Sequence, residues 1–167
     1  MEQDINLNSA ESYINPNAEE EDNYSGPSTR CVMFTLENET YGIQVKKIRE
    51  VLRVGNIRSV PGSNYQVLGI INVRGVIVTV VDMRTMFNLP QKEITDVSRI
   101  IIVELDDEQT VGMLVDMVQE VKDIPESRFE PLSSAKDNAS RHIQGIAHFQ
   151  DRVIILVDAD TMLEQHI

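Results

Sequence analysis

From Arg30 onward, apolar residues recur with period two or gather in short β-branched runs closed by turn residues, and this pattern predicts strands. Val32-Met33-Phe34-Thr35-Leu36, the acidic tip Glu37-Asn38-Glu39-Thr40 and Tyr41-Gly42-Ile43-Gln44-Val45 read as a hairpin. Ile100 to Leu105, the tip Asp106-Asp107-Glu108-Gln109 and Thr110 to Val115 read as another. Further strands are expected at 57–60, 69–73, 76–81, 118–124, 143–149 and 153–157. Helices are few and short, at 45–52, 83–87 and 158–165. Many short strands at close spacing predict a mainly β fold of two small antiparallel barrels.

The pattern also repeats. Gly69 to Phe87 lies without a gap on Gly145 to Leu163, matching Gly69/Gly145, Ile70/Ile146, Val81-Asp82/Val157-Asp158 and Thr85-Met86/Thr161-Met162. Gly42, Val45, Glu50 and Val51 recur 70 positions later as Gly112, Val115, Glu120 and Val121, with Ile48 answered by Val118. Two copies of one supersecondary unit are therefore expected, one barrel built mainly from each. The first barrel falls mainly in 31–90, the second mainly in 97–158, and the boundary at Asn88 to Val97.

Charge separates one further region. Residues 1–29 carry seven acids and no Lys or Arg, so they hold −7 of the net −12. With isolated apolar residues and a closing Ser25-Gly26-Pro27-Ser28, they read as a solvated acidic tail. An acidic chain without a basic stripe makes nucleic acid an improbable partner. Apolar runs are too short to span a bilayer, and Met1-Glu2-Gln3-Asp4 lacks the basic and apolar regions of a signal peptide, so a cytoplasmic protein without membrane insertion is expected.

Candidate chemistry is sparse. There is no Gly-rich phosphate loop, nucleophile elbow or Cys/His ligand cluster, so no catalytic residues, cofactor or metal are expected. The acidic hairpin tips lack the calcium-loop spacing, His142 and His148 read as structural or surface residues, and lone Cys31 as a small buried hydrophobe. Asp82 and Asp158 each stand where a strand meets a short helix, the place of an N-cap. Arg74 is different: Asn72-Val73-Arg74-Gly75 faces His148-Phe149-Gln150-Asp151 in the second copy, so the shared scaffold does not demand it. A guanidinium beside a glycine suits a carboxylate or backbone carbonyls of another protein, and equally a neighbouring surface acid.

Asn72 to Arg84, with Phe34-Thr35-Leu36, Tyr41-Gly42-Ile43, Ile48-Arg49-Glu50-Val51, Val111 to Asp116 and Arg152 to Asp158, resembles the CheW-type coupling proteins of bacterial chemotaxis. The resemblance spans about residues 31–165 and places a CheW-like domain at 30–167. One departure is Thr79, where the family usually has Pro, with an effect expected only at a strand edge. The resemblance implies two packed five-stranded SH3-like barrels without enzymatic activity, forming a scaffold that joins a chemoreceptor's cytoplasmic tip to the regulatory domain of a histidine kinase. It implies receptor contacts at Glu50, Arg74, Gly75 and Val118, and kinase contacts at Val45, Ile48 and Val51. For the last three, ordinary core is the competing reading. Two other functions stay open: an adaptor of another chemosensory pathway such as pilus motility, or an SH3-like peptide-binding module, against which the shortage of aromatics argues.

Overall fold

The computed structural model describes residues 26–131 and 142–163 and the backbone of Ile5 and Asn6. Strands β1 (Ile5–Asn6), β2 (Ser28–Leu36) and β3 (Glu39–Gln44) lead through a 3-10 turn, Val45–Lys47, into β4 (Ile48–Arg53). Then come β5 (Val67–Val73), β6 (Val76–Asp82), helix α1 (Met83–Met86), β7 (Arg99–Glu104) and β8 (Thr110–Val115). The remaining elements are β9 (Met117–Pro125), a 3-10 turn Glu126–Arg128, β10 (Phe129–Pro131), β11 (Ile143–Phe149), β12 (Arg152–Val157) and α2 (Ala159–Leu163).

Two sheets result, ordered β1-β4-β7-β8-β6-β5 and β10-β11-β12-β3-β2-β9. Each has five substantial strands and one very short one, β1 or β10. The expected division at residues 88–97 does not hold, because each copy of the repeat lends its leading hairpin to the other copy's sheet. The β7–β8 hairpin completes the first sheet by parallel pairing of β8 with β6 (Gly112 opposite Val80). The β2–β3 hairpin completes the second by parallel pairing of β3 with β12 (Gly42 opposite Leu156). Hydrophobic periodicity specifies a strand's buried faces and not its neighbour, so a repeat in sequence leaves such an exchange undetermined.

The exchange explains why the hairpin strands are apolar almost throughout. In β2, Cys31 and Met33 face the interior of the second barrel, while Val32, Phe34 and Leu36 face the partner barrel. In β7, Ile100 and Ile102 fill the first barrel, while Ile101 and Val103 face across. Strands buried on both faces lose the polar half of the alternation. Among the described residues, each barrel interior holds seven buried hydrophobic residues, whereas the layer between the barrels holds 21, including Met83, Met86, Met162 and Leu163 from the two helices. The interface is therefore the main core.

The repeated residues acquire physical roles. At Gly69 a Cβ would lie 2.1 Å from the Arg58 carbonyl oxygen, and at Gly145 it would lie 2.4 Å from that of Glu130. Each glycine follows a register shift in its hairpin and lets another backbone segment approach. Asp82 caps α1 by accepting from Arg84 N (3.1 Å) and Thr85 Oγ1 (2.8 Å), and Asp158 accepts from Asp160 N (3.1 Å) and Thr161 N (3.3 Å), as the N-cap reading expects.

Four local expectations change. Only Val45–Lys47 of the helix expected at 45–52 is a helical turn, and Ile48–Arg53 is strand, because apolar residues here must face both a barrel interior and the interface. The strand expected at 57–60 is a single bridge between Arg58 and Ile70, cut short before Pro61-Gly62. Thr79 lies within the sheet, opposite Ile70 and Val111, and not at an edge. Most of the tail at 1–29 falls outside the described residues, but β2 already begins at Ser28, and Ile5–Asn6 pair with β4.

Candidate functional site

The hairpin joining β5 to β6 turns in two residues, Arg74 (φ 50°) and Gly75 (φ 87°). Positive φ at both positions is what a type I′ turn requires, and Gly75 meets it without strain. The Gly75 N–H donates to Asn72 Oδ1 (2.8 Å), which closes the turn and holds Arg74 outward. From there the guanidinium reaches Glu50 Oε1 on β4. The two ends of this ion pair differ sharply: the Glu50 side chain is 6% exposed and that of Arg74 is 65% exposed. A groove of about 400 Å³ adjoins the pair, lined by Leu52, Asn56, Ile71, Asn72 and Arg74 among others. Val76 and Ile77, directly after the turn, are 58% and 60% exposed. The tip thus offers a cation, a bare backbone turn and an apolar shoulder, a combination suited to a protein surface.

The second barrel builds its corresponding tip from other parts. Gln150 (φ 52°) and Asp151 (φ 60°) make the same kind of turn. Glu120, the repeat counterpart of Glu50, pairs with Arg152 (2.8 Å), while Gln150 accepts from buried Lys122 (2.7 Å). Each repeated glutamate is balanced by a cation from a different position.

Where the barrels meet, charged clusters sit beside the helices. Arg84 of α1, almost fully buried, donates Nη1 to Asp116 (2.6 Å), Nη2 to Glu37 at the β2–β3 tip and Nε to the Pro90 carbonyl (2.8 Å). Burial works against its charge, but Glu37 and Asp116 outweigh that and raise its pKa. The same bond from Arg84 holds the Glu37 carboxyl below the usual range. At the corresponding place in α2, Asp160 accepts from the Asp106 N–H (2.6 Å) and pairs with Lys47 (2.5 Å), which also reaches the Asp106 carboxylate. Burial pushes the Asp160 carboxyl up, yet the bonds from Lys47 and the Asp106 N–H prevail and lower it.

A family model described as the CheW-like domain matches residues 30–166. The chain belongs to the CheW-like family. It is 33% identical to the chemotaxis protein CheW of Bacillus subtilis, over 81% of this chain and 87% of that protein. It is 30% identical to that of Thermotoga maritima, over 79% and 85%. The crystal structure of the scaffolding protein TtCheW from Thermoanaerobacter tengcongensis superposes with a TM-score of 0.77 at 33% identity, covering 82% of this chain and 93% of that one.

Within this CheW-like fold, the residues expected to bind a receptor do not all converge. Glu50, Arg74 and Gly75 form one tip. Val118 lies on β9 opposite Phe34, half-buried against the core between the barrels. The apolar surface expected at Val45, Ile48 and Val51 is not displayed: Ile48 and Val51 are 2% exposed, and Val45 is half-buried against the same core. Their side chains fill the interface created by the hairpin exchange. Arg84, Lys47 and Asp160 were not singled out as a group by the sequence, although the signal was present, since Arg84 and Asp160 occupy equal places in the repeat with opposite charge.

Burial, with a lesser effect from Asp123, pushes the Cys31 thiol up to about 12 and leaves it protonated at neutral pH. His148 is half exposed, 3.5 Å from Glu130. Among the described residues no group of three or more His, Cys, Asp or Glu is placed to hold a metal, and no helix is long and apolar enough to cross a membrane.

Proposed function

We propose that this chain is a non-enzymatic chemotaxis scaffold that couples chemoreceptors to a histidine kinase, and that the Glu50–Arg74–Gly75 tip is where it takes the receptor. Membership of the CheW-like family supports the adaptor role. The observation that carries the site is the asymmetry of the ion pair: Glu50 is buried and fixed, Arg74 is displayed on a two-residue turn, and the second copy has Gln150 at that place. Glu50 orients the guanidinium from below, and a guanidinium displayed at the surface suits a carboxylate or helix-end carbonyls on the receptor. Gly75 lets the partner's backbone come close, and Val76 and Ile77 supply apolar contact. Val118 would take part from the margin of the barrel interface. The working site is the cytoplasmic face of a membrane receptor array, where the scaffold also meets the kinase's regulatory domain.

Titration against a soluble receptor-tip fragment tests the site. A charged hydrogen bond desolvated on binding contributes about 2 kcal/mol, so Arg74→Ala should weaken binding about 30-fold. Gln150→Ala, at the matched turn of the second barrel, should change it by less than about threefold. Equal effects of the two substitutions would remove the tip from the receptor contact.

A further inference from the structure

The first sheet ends on β5, and the outer side of that strand is only partly covered. β5 pairs with β6 so that Val73 faces Val76, Asn72 faces Ile77 and Ile71 faces Val78. Bonded and non-bonded pairs alternate along an antiparallel ladder. With Val73 and Val76 closing the two-residue turn as a bonded pair, the backbone N–H and C=O of Asn72 point away from β6. Ile70, two residues earlier, points the same way and exchanges both bonds with Arg58 (2.8 and 2.9 Å). That contact is a single bridge. Asn72 is exposed, and among the described residues no backbone bond reaches it from this side.

The open edge lies between two hollows with apolar floors. Asn56, Ile71 and Asn72 line both of them. One, of about 530 Å³, continues over Ile57, Ile70 and Ile77. The other, of about 400 Å³, continues over Leu52 and Ile100, which belong with Ile71 to the barrel interior. Side chains of an extended chain alternate between two faces, so a strand laid on Asn72 sends them toward both hollows in turn.

The rim is cationic. Residues 51–81 hold three arginines and no acid or lysine, in a chain of net charge −12. Arg58 borders the larger hollow, and Arg53 and Arg74 border the smaller. Arg74 is paired with Glu50, whereas Arg53 and Arg58 are exposed and have no ion-pair partner among the described residues. Arg53 also stands opposite Arg99 in the β4–β7 ladder, a facing of like charges that costs stability and that a bound anion relieves.

We propose that the open β5 edge at Asn72 takes a short, extended acidic segment of a partner protein. The segment adds as a strand, with its backbone on Asn72, apolar side chains in the two hollows and carboxylates on Arg53 and Arg58. A helix is unsuited, because its backbone groups are already bonded to one another and cannot use the edge. The site neighbours the receptor tip but stands on different groups, so it does not depend on the receptor reading.

A short peptide alternating glutamate and valine, blocked at both ends, is the probe, titrated into the full chain with backbone amide NMR as the readout. The Asn72 amide should shift, and its hydrogen exchange should slow, as binding saturates. A peptide with lysine in place of glutamate should bind about tenfold more weakly or worse. Of two versions N-methylated at every second residue in opposite phases, the one that blocks the groups facing β5 should lose about tenfold. Arg53→Ser/Arg58→Ser should weaken the glutamate peptide about five- to tenfold. Saturable binding that leaves the Asn72 amide unmoved would overturn strand addition, as would undiminished affinity of both N-methylated peptides. Equal affinity of the lysine peptide, or of the double variant for the glutamate peptide, would overturn the acidic partner. Absence of saturable binding would overturn the whole proposal, whatever Arg74→Ala does to the receptor fragment, so the two sites fail separately.

Discussion

Arg84 and Asp160 stand at the same place in the two copies of the repeat, 76 positions apart, on helices that follow equivalent hairpins. One is a cation and the other an anion, yet both clusters contain one cation and two carboxylates: Arg84 with Glu37 and Asp116, and Lys47 with Asp160 and Asp106. In the first, the helix supplies the cation; in the second, it supplies one of the acids. What both copies keep is a charged helix residue placed on the other sheet's hairpin tip, together with neutralisation of that charge by the surroundings. The sign is free to change provided its partners change too. The tips behave likewise, with Glu50 answered by Arg74 and Glu120 by Arg152. Environment still separates the pairs, since the Arg84 side chain is 6% exposed and that of Asp160 is 24% exposed.

The largest expected difference between the copies lies at Ile48 and Val118. Ile48→Asp places an unpaired carboxylate in the core shared by both barrels and should cost about 4 kcal/mol or more, enough to abolish cooperative unfolding in many proteins of this size. Val118→Asp, half-buried, should cost about 1–2 kcal/mol. Urea denaturation followed by circular dichroism measures both, and equal losses would show that the two copies contribute alike to the interface.

At the clusters, Arg84→Ala should cost about 3 kcal/mol, because it strands the mostly buried Asp116 carboxylate and removes the donor to the Pro90 carbonyl. Asp160→Ala, at a more open site, should cost about 1 kcal/mol. A reversed order in thermal unfolding would mean that burial does not set the value of these contacts.

The smallest effect concerns acid. The carboxyls of Glu37 and Asp160 lie below their ordinary range in the folded chain. Their stabilisation is present above the unfolded carboxylate value near pH 4 and is lost as pH falls through the lower folded values. The thermal midpoint should therefore drop between pH 5 and pH 3, and drop less in Arg84→Ala/Lys47→Ala, which lacks both cations. An identical pH dependence in that variant would separate the clusters from the acid response.

The strands, the caps at Asp82 and Asp158, and the relation between the copies could be read from the sequence because each is a local pattern of apolar periodicity, polar capping or repetition. The exchange of hairpins could not, since pairing partners 32 residues apart in one sheet (Val80 and Gly112) and 114 apart in the other (Gly42 and Leu156) leave no local trace. That gap misplaced the apolar residues of β4 and of the turn before it: Val45, Ile48 and Val51 resemble a displayed patch until β7 and β8 are known to lie beside them. Arg74 was recoverable because the second copy lacks it, whereas Glu50 needed the structure to show that its carboxylate is buried beneath that arginine. The pairing of Ile5–Asn6 with β4 joins two residues to a strand more than forty positions away, with no motif to announce it.

Hairpin exchange also governs the order in which the molecule can be made. As the chain leaves the ribosome, β4, β5 and β6 emerge with one flank of their sheet missing, because β8 is still to be synthesised. β2 and β3 wait longer, since their neighbours β9 and β12 lie far downstream in the chain. The first barrel, whose five substantial strands run in one stretch from β4 to β8, can close on the nascent chain, whereas the second keeps an incomplete sheet edge until β12 has emerged. The second barrel thus folds after the first and through contacts of long sequence separation, which slows it and leaves the apolar β2–β3 hairpin uncovered in the meantime.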